Sequence, residues 1–296
     1  MWTEGIFYLG ATGFLWSAIG IIFGKAANKE SFFPFLFLST VIFVGTTWIF
    51  TFPAAAPACE ILKVSGLMFP SALAGQLGFL ALREAIKRGS LAISWCLAQA
   101  AMLWPFLSGT LFLGEPATPE RIGGMAIVCI GLPLLAGTQK SVTPEGRRRN
   151  PYFLWFAFGA FALIGLQQTL SLIPNRLIQN PEALSWRVPV SSLAGLGWIF
   201  FCRRRSPAAW KDSLVPALGY GVLVACGQWT LFRAIDTLSG CAASGIAYPL
   251  AVGISIVLLT FYSGMILREK LSRLAATGIA VIICGIILLA LSNIGK

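Results

Sequence analysis

Apolar residues run along this chain in ten blocks, separated by short stretches that hold nearly all of its charge. The blocks are residues 6–24, 32–52, 64–82, 91–113, 122–137, 152–173, 188–202, 214–232, 240–267 and 274–291. A helix needs roughly 20 apolar residues to cross a bilayer. The pattern therefore predicts an all-α integral membrane protein with ten transmembrane helices and little extramembrane mass. The seventh block is short and is expected to begin nearer Ala183, with Arg187 at its mouth. The ninth, at ~1.5 Å per residue, would span about 40 Å and should tilt or bend at Pro249 or Gly253. The N-terminal Met1-Trp2-Thr3-Glu4 has no basic region and no cleavage site follows, so the first block reads as a retained span rather than a signal peptide.

The most polar stretch lies after the fifth block and divides the chain into 1–138, a basic linker 139–150, and 151–296. The two outer parts repeat one another. Leu113-Gly114-Glu115 closes the fourth block, and Gly124 and Gly131 follow. Leu267-Arg268-Glu269 closes the ninth, and Gly278 and Gly285 follow at the same spacing. Gly75-Gln76 ahead of Ala85-Ile86 is matched by Gly227-Gln228 ahead of Ala234-Ile235. An odd number of spans in each half forces the halves to insert upside down relative to one another, as in many secondary transporters.

Charge then orients the chain. Sixteen of the 22 basic residues fall in residues 25–31, 83–90, 138–151, 203–213 and 268–273, all on one side of the alternation. Basic loops face the cytoplasm, which puts both termini outside a cell (inner) membrane. The net charge of +11 is read as this orientation signal and not as a nucleic-acid surface: the runs Arg147–Arg149 and Arg203–Arg205 sit between apolar blocks without interleaved aromatics. Trp2, Trp186 and Trp210 suit interfacial anchoring.

These features resemble the drug/metabolite transporter superfamily. Leu111-Phe112-Leu113-Gly114-Glu115 with Gly124 to Gly131 is similar to the end of its paired five-helix, EamA-like domains. The stretch Gly227-Gln228-Trp229 through Ala234-Ile235-Asp236 is similar to its sugar-uptake branch. The resemblance covers nearly the whole chain and implies a carrier, without naming its substrate. Many members place both termini inside, whereas the basic loops here argue for outside. The superfamily's small multidrug branch carries a glutamate in its first helix, where this chain has Trp16 and Ser17.

What is missing narrows the chemistry. The chain has no histidine, and its seven cysteines show no CxxC or metal-ligand spacing, so they read as small buried hydrophobes. No cofactor or metal is expected. Every Asp and Glu lies in a loop or at a span end, whereas cation pumps keep a carboxylate inside the membrane. The substrate is accordingly expected to be neutral or zwitterionic, a small polar metabolite such as an amino acid or a sugar. Uncharged polar side chains inside the spans must find partners in the bundle or line a cavity. The expected site comprises Gln99, Tyr248, Gln76 and Gln228, walled by Trp95, Trp104 and Trp16. The alternative for these residues is hydrogen bonding between helices with no ligand.

Arg83 with Glu84 and Arg233 with Asp236 are expected as rim ion pairs or gates. Glu115 and Glu269, which recur in both halves, are expected to cap or orient the turn into the next helix, at the positive end of its dipole, with a catalytic or gating role as the alternative. Gln167, Gln168, Ser171 and Asn175 read as the wet end of the sixth helix, with a pathway lining as the alternative. Partners are a small-molecule substrate and the lipid bilayer, with no nucleic acid, in a monomer or homodimer. Two competing functions remain: a membrane sensor or assembly subunit docking through 138–150, and a lipid enzyme, which lacks a nucleophile and base in the membrane.

Overall fold

The computed structural model describes residues 1–26, 29–50, 53–88, 94, 97–136, 152–202, 206–266 and 273–292. Among them every regular element is helical. We number the principal helices α1 (Trp2–Ala26), α2 (Phe32–Phe50), α3 (Ala58–Arg88), α4 (Leu103–Leu111), α5 (Pro119–Ala136), α6 (Tyr152–Leu172), α7 (Arg187–Leu193), α8 (Pro207–Ser239), α9 (Ala247–Met265) and α10 (Arg273–Leu291). Single helical turns at Pro174–Leu177 and Pro181–Leu184 join α6 to α7. Tighter 3-10 segments at Ala100–Met102 and Ser244–Ile246 lead into α4 and α9, and another at Ala194–Trp198 follows α7.

Six helical stretches among the described residues are long and apolar enough to cross a membrane: Trp2–Ala26, Phe32–Phe50, Ala58–Arg88, Tyr152–Leu177, Pro207–Ser239 and Ser244–Tyr262. The protein is therefore an all-helical, multi-pass membrane protein. Helices suit lipid because each satisfies its own backbone hydrogen bonds. Polar residues on them follow the same rule: Ser39, Thr40 and Thr47 on α2 donate to the carbonyls of Phe35, Leu36 and Phe43 one turn back. The outer surface is apolar, with Phe7, Phe50, Trp155, Phe200 and Val215 all strongly exposed. Water would not tolerate so continuous an apolar skin, whereas lipid does.

Helix boundaries depart from the apolar blocks in instructive ways. α3 and α8 run to 31 and 33 residues, because polar and charged residues at their ends continue the helix. α8 starts at a Ser206-Pro207 cap in which Ser206 Oγ accepts from the Ala209 amide. The ninth block is shorter than expected. Residues 240–243 are apolar yet form a turn, with Ala242 at φ 49°, so α9 has only 19 residues and needs no bend to fit a bilayer. The seventh helix starts at Arg187 rather than near Ala183, where Pro181–Leu184 forms a separate turn, and it loosens into the 3-10 segment after Leu193.

Helix directions can be read from their contacts. Thr12 on α1 bonds Thr230 on α8, and Gly227 meets Trp16, so these helices are antiparallel. α3 packs on α6 in the same sense, through Gly75 against Gln167 and Gly78 against Ile164. α1 and α9 run parallel, with Gly13 against Ile254 and Gly20 against Leu259. α5 and α10 cross antiparallel at their glycines. A Cβ on Gly124 would lie 3.0 Å from the Gly285 carbonyl, and one on Gly131 would lie 3.0 Å from the Gly278 carbonyl. The close-approach role expected of these glycines holds.

The cysteines depart from expectation. Cys202 is buried, but Cys59, Cys226 and Cys284 are exposed and Cys129 and Cys241 half-buried. Cysteine is apolar enough to face lipid, and hydropathy cannot separate that from burial. Cys96, Trp95, Glu269, both arginine runs and the linker 139–150 lie outside the described residues.

Candidate functional site

A cavity of about 220 Å³ opens among α1, α2, α3, α6, α7, α8, α9 and the segment leading into α4. Gln99, Tyr248, Gln76, Gln228 and Trp16 all line it. The sequence spreads these five over more than 230 positions, yet the helix packing gathers them. Trp104 does not belong: it is 41% exposed and wedged between α4 and α6, against Gly165 and Phe161. A bulky indole fits there because Gly165 leaves the space.

The lining mixes apolar side chains with uncharged polar ones, and among the described residues no Asp, Glu, Lys or Arg contributes to it. α3 and α6 pack face to face and supply Gln76, Gln167, Gln168 and Ser171. Gln167, Gln168 and Ser171 are thus part of the cavity, and not only the wet end of a helix. Aromatic rings line it too. Trp16 and Tyr248 lie 6.0 Å apart, tilted by 33°, with Phe232 beside them on the wall.

Hydrogen bonds hold several of these groups in fixed orientations. The Ser171 hydroxyl donates to the Gln168 carbonyl at 2.7 Å, so the Tyr248 hydroxyl, 2.6 Å away, donates to Ser171 Oγ. Trp198 Nε1 donates to Gln76 Oε1 at 2.9 Å. Because an indole N–H only donates, this bond fixes which way the Gln76 amide points. Gln168 is 6% exposed, and its Oε1 has no hydrogen-bond partner.

An aromatic ring, an arginine and a carboxylate succeed one another at each end of the cavity. At one end Phe232 lines it, Arg187 lies 4.7 Å over that ring, and Arg187 binds both oxygens of Asp236 at 2.8 Å. Asn175 joins the cluster by accepting from Arg187 and donating to Asp236. At the other end Phe23 lines the cavity and meets Phe32 edge-on at 5.6 Å. Arg83 lies 4.0 Å over Phe32 and 3.6 Å from Glu84. The expected pair of Arg83 and Glu84 is present. The expected pair of Arg233 and Asp236 is not: Arg233 is exposed and sits over Trp229, while Asp236 turns inward to Arg187. Residues three apart on a helix are neighbours, but the buried Arg187 guanidinium claims both Asp236 oxygens.

Glu115 also departs in part from expectation. It pairs with Arg121 on the helix that follows it, as expected, but its hydrogen bonds go elsewhere. Its carboxylate accepts from Ser244 Oγ and from the Gly245 amide at 3.0 Å, at the entrance to α9. Gly114, at φ +66°, makes the turn that aims it there. Buried Arg121 lies 4.0 Å away and donates to the Ala242 and Pro116 carbonyls. Ser244 is thereby committed to this corner, whereas Ser255 on α9 lines the cavity.

Trp2 and Trp186 tie down helix ends through their indole N–H groups, to the carbonyls of Ala290 and Ala54, and Trp210 stacks edge-on against Phe37. Among the described residues no group of His, Cys, Asp and Glu is placed to hold a metal ion.

No family model and no curated protein matches this chain. It is similar to a solved crystal structure of a protein, with a TM-score of 0.67 over 98% of this chain and 98% of that one, at 17% sequence identity. At that identity the likeness is one of fold alone.

Proposed function

We propose that this protein is a secondary transporter of the drug/metabolite transporter superfamily. It carries a small polar metabolite across the cell (inner) membrane by alternating access between two inverted five-helix halves of a ten-helix chain. The observation that carries the reading is the central cavity, lined among the described residues by apolar and uncharged polar side chains, with an arginine–carboxylate pair at each end. A carrier needs such a site and a closure on either side of it.

The helix packing supports the inverted halves. Pairing helices 1–5 with 6–10 exchanges contacts in kind: α3 on α6 corresponds to α8 on α1, and α2 on α8 to α7 on α3. The pair of α5 and α10 maps onto itself, and so does its glycine crossing, Gly124 with Gly285 for Gly131 with Gly278. Within the cavity Gln76 answers Gln228, and Ser39 answers Ser191.

The test is transport by purified protein in proteoliposomes, after a thermal-shift screen of sugars, amino acids and nucleobases has chosen the solute. Gln99→Ala and Tyr248→Phe should each abolish uptake while leaving the melting temperature within a few degrees. Undiminished uptake by both variants overturns the site. Orientation has its own check: a reporter fused after Lys296 should read extracytoplasmic, and a cytoplasmic signal reverses the topology.

A further inference from the structure

We infer that the substrate is a net-neutral, flat heterocycle carrying a hydrogen-bond donor and an acceptor side by side on one edge, as nucleobases and related lactam rings do. This rests on the carrier reading above and narrows it.

The first ground is charge. With no ionised side chain among the described residues of the lining, a zwitterion would give up the hydration of two charges and meet no counter-charge for either. That disfavours free amino acids, which a polar cavity alone would admit.

The second is which polar groups are free to bind. Ser39 and Thr40 donate to carbonyls of their own helix, and Ser71 donates to the Gln167 carbonyl across the interface. Ser171 is engaged with Gln168 and Tyr248. Donors to a ligand must therefore come mainly from amides, and five glutamines reach the cavity. An amide presents one N–H and one C=O side by side, which is the complement of a lactam or amidine edge, as in the two-point pairing of Gln or Asn with adenine. A monosaccharide instead brings hydroxyls around its whole rim. More than half of the lining residues are apolar or glycine, so several of those hydroxyls would stay unpaired.

Third, Gln168 Oε1 is a buried acceptor without a partner. Such a group calls for a donor from whatever fills the space. Fourth, Trp16 and Tyr248 put aromatic rings on the cavity lining, and ring stacking is indifferent to a base's identity because every base has a π-face. Size agrees as well. An apolar cavity of about 150 Å³ holds benzene, so about 220 Å³ suits one ring or a fused pair.

The experiment is uptake of labelled adenine, hypoxanthine, glucose and threonine by purified full-length protein in proteoliposomes. Saturable uptake of at least one base is expected, with little of glucose or threonine. Trp16→Leu and Gln168→Leu should each raise the base KM about tenfold, and Trp16→Phe, which keeps a stacking face, should stay within about threefold of the parent. Each variant's melting curve checks its fold. Saturable uptake of glucose or threonine but not of either base overturns the heterocycle and leaves the carrier standing. No saturable uptake of any of the four by folded protein overturns both. Base uptake insensitive to Trp16→Leu and Gln168→Leu overturns the recognition scheme.

Discussion

The pair of Arg187 and Asp236 offers a quantitative test, because its two members are buried to different degrees. The Arg187 side chain is 5% exposed and that of Asp236 is 35% exposed. Removing either partner breaks the same two 2.8 Å hydrogen bonds, but the group left behind differs. Arg187→Met leaves a carboxylate that can rehydrate at the rim and still accepts from Asn175. Its cost should be that of a partly exposed, charge-assisted contact, about 1 kcal/mol. Asp236→Leu strands a guanidinium in a buried position, with the Asn175 side chain and the Leu184 carbonyl as its remaining acceptors. An uncompensated buried charge costs roughly 3–5 kcal/mol, and these acceptors place the estimate at about 3 kcal/mol. The double variant removes both charges and should resemble Arg187→Met alone. The expected coupling is therefore about 2–3 kcal/mol in favour of the double variant. Denaturant unfolding in micelles, followed by helical circular dichroism, measures all four corners of the cycle. Equal losses from the two single variants, or simple addition in the double one, would refute the argument from unequal burial.

Other perturbations reach different parts of the structure. Glu115→Ala should destabilise by roughly 3–5 kcal/mol, because it leaves buried Arg121 without its ion-pair partner and with Nε and one Nη already unbonded. Glu115→Gln keeps an acceptor for Gly245 and should lose less than half as much in the same unfolding assay. At the crossing of α5 and α10, Gly131→Val should cost about 1–3 kcal/mol by overpacking, since its Cβ would fall 2.5 Å from Ile282 Cγ1. Gly10→Ala on α1 is the control: nothing lies within 4 Å of the added carbon, so melting temperature should hold or rise slightly.

Much of the fold was legible in sequence because bilayers impose simple rules on it. A run of about 20 apolar residues must be a helix. A glycine spaced seven from another on the same helix marks a face where backbones meet, and Gly124, Gly131 and Gly285 do meet across α5 and α10. Site membership followed from the same economy. Gln76, Gln99, Gln228 and Tyr248 are polar groups inside apolar runs, so they had to converge on one another or on a cavity. Those inferences need no knowledge of which helix touches which.

Where that knowledge was needed, sequence proximity misled. Arg233 was the obvious partner of Asp236 from spacing, but the structure selects Arg187, 49 residues away on another helix. Glu115 was assigned to the helix that follows it, where it pairs with Arg121, but its hydrogen bonds go to the entrance of α9. Trp104 was expected as an apolar cavity wall, but the space at Gly165 lets it pack against α6 instead. In each case the deciding partner lies on an element distant in sequence, so no local pattern could reveal it. The consequence bears on mechanism. Asp236 joins α8 to α7 within the second half, whereas Glu115 joins the first half to the second at the α4–α9 corner. If the halves rock against each other, contacts between them must break while those within a half persist. Arg187 and Asp236 belong to one half in the proposed division, so their bond closes an end of the cavity without crossing the division. Glu115 with Ser244 and Gly245 does cross it. That corner, rather than the more conspicuous ion pair, is where resistance to rocking should concentrate.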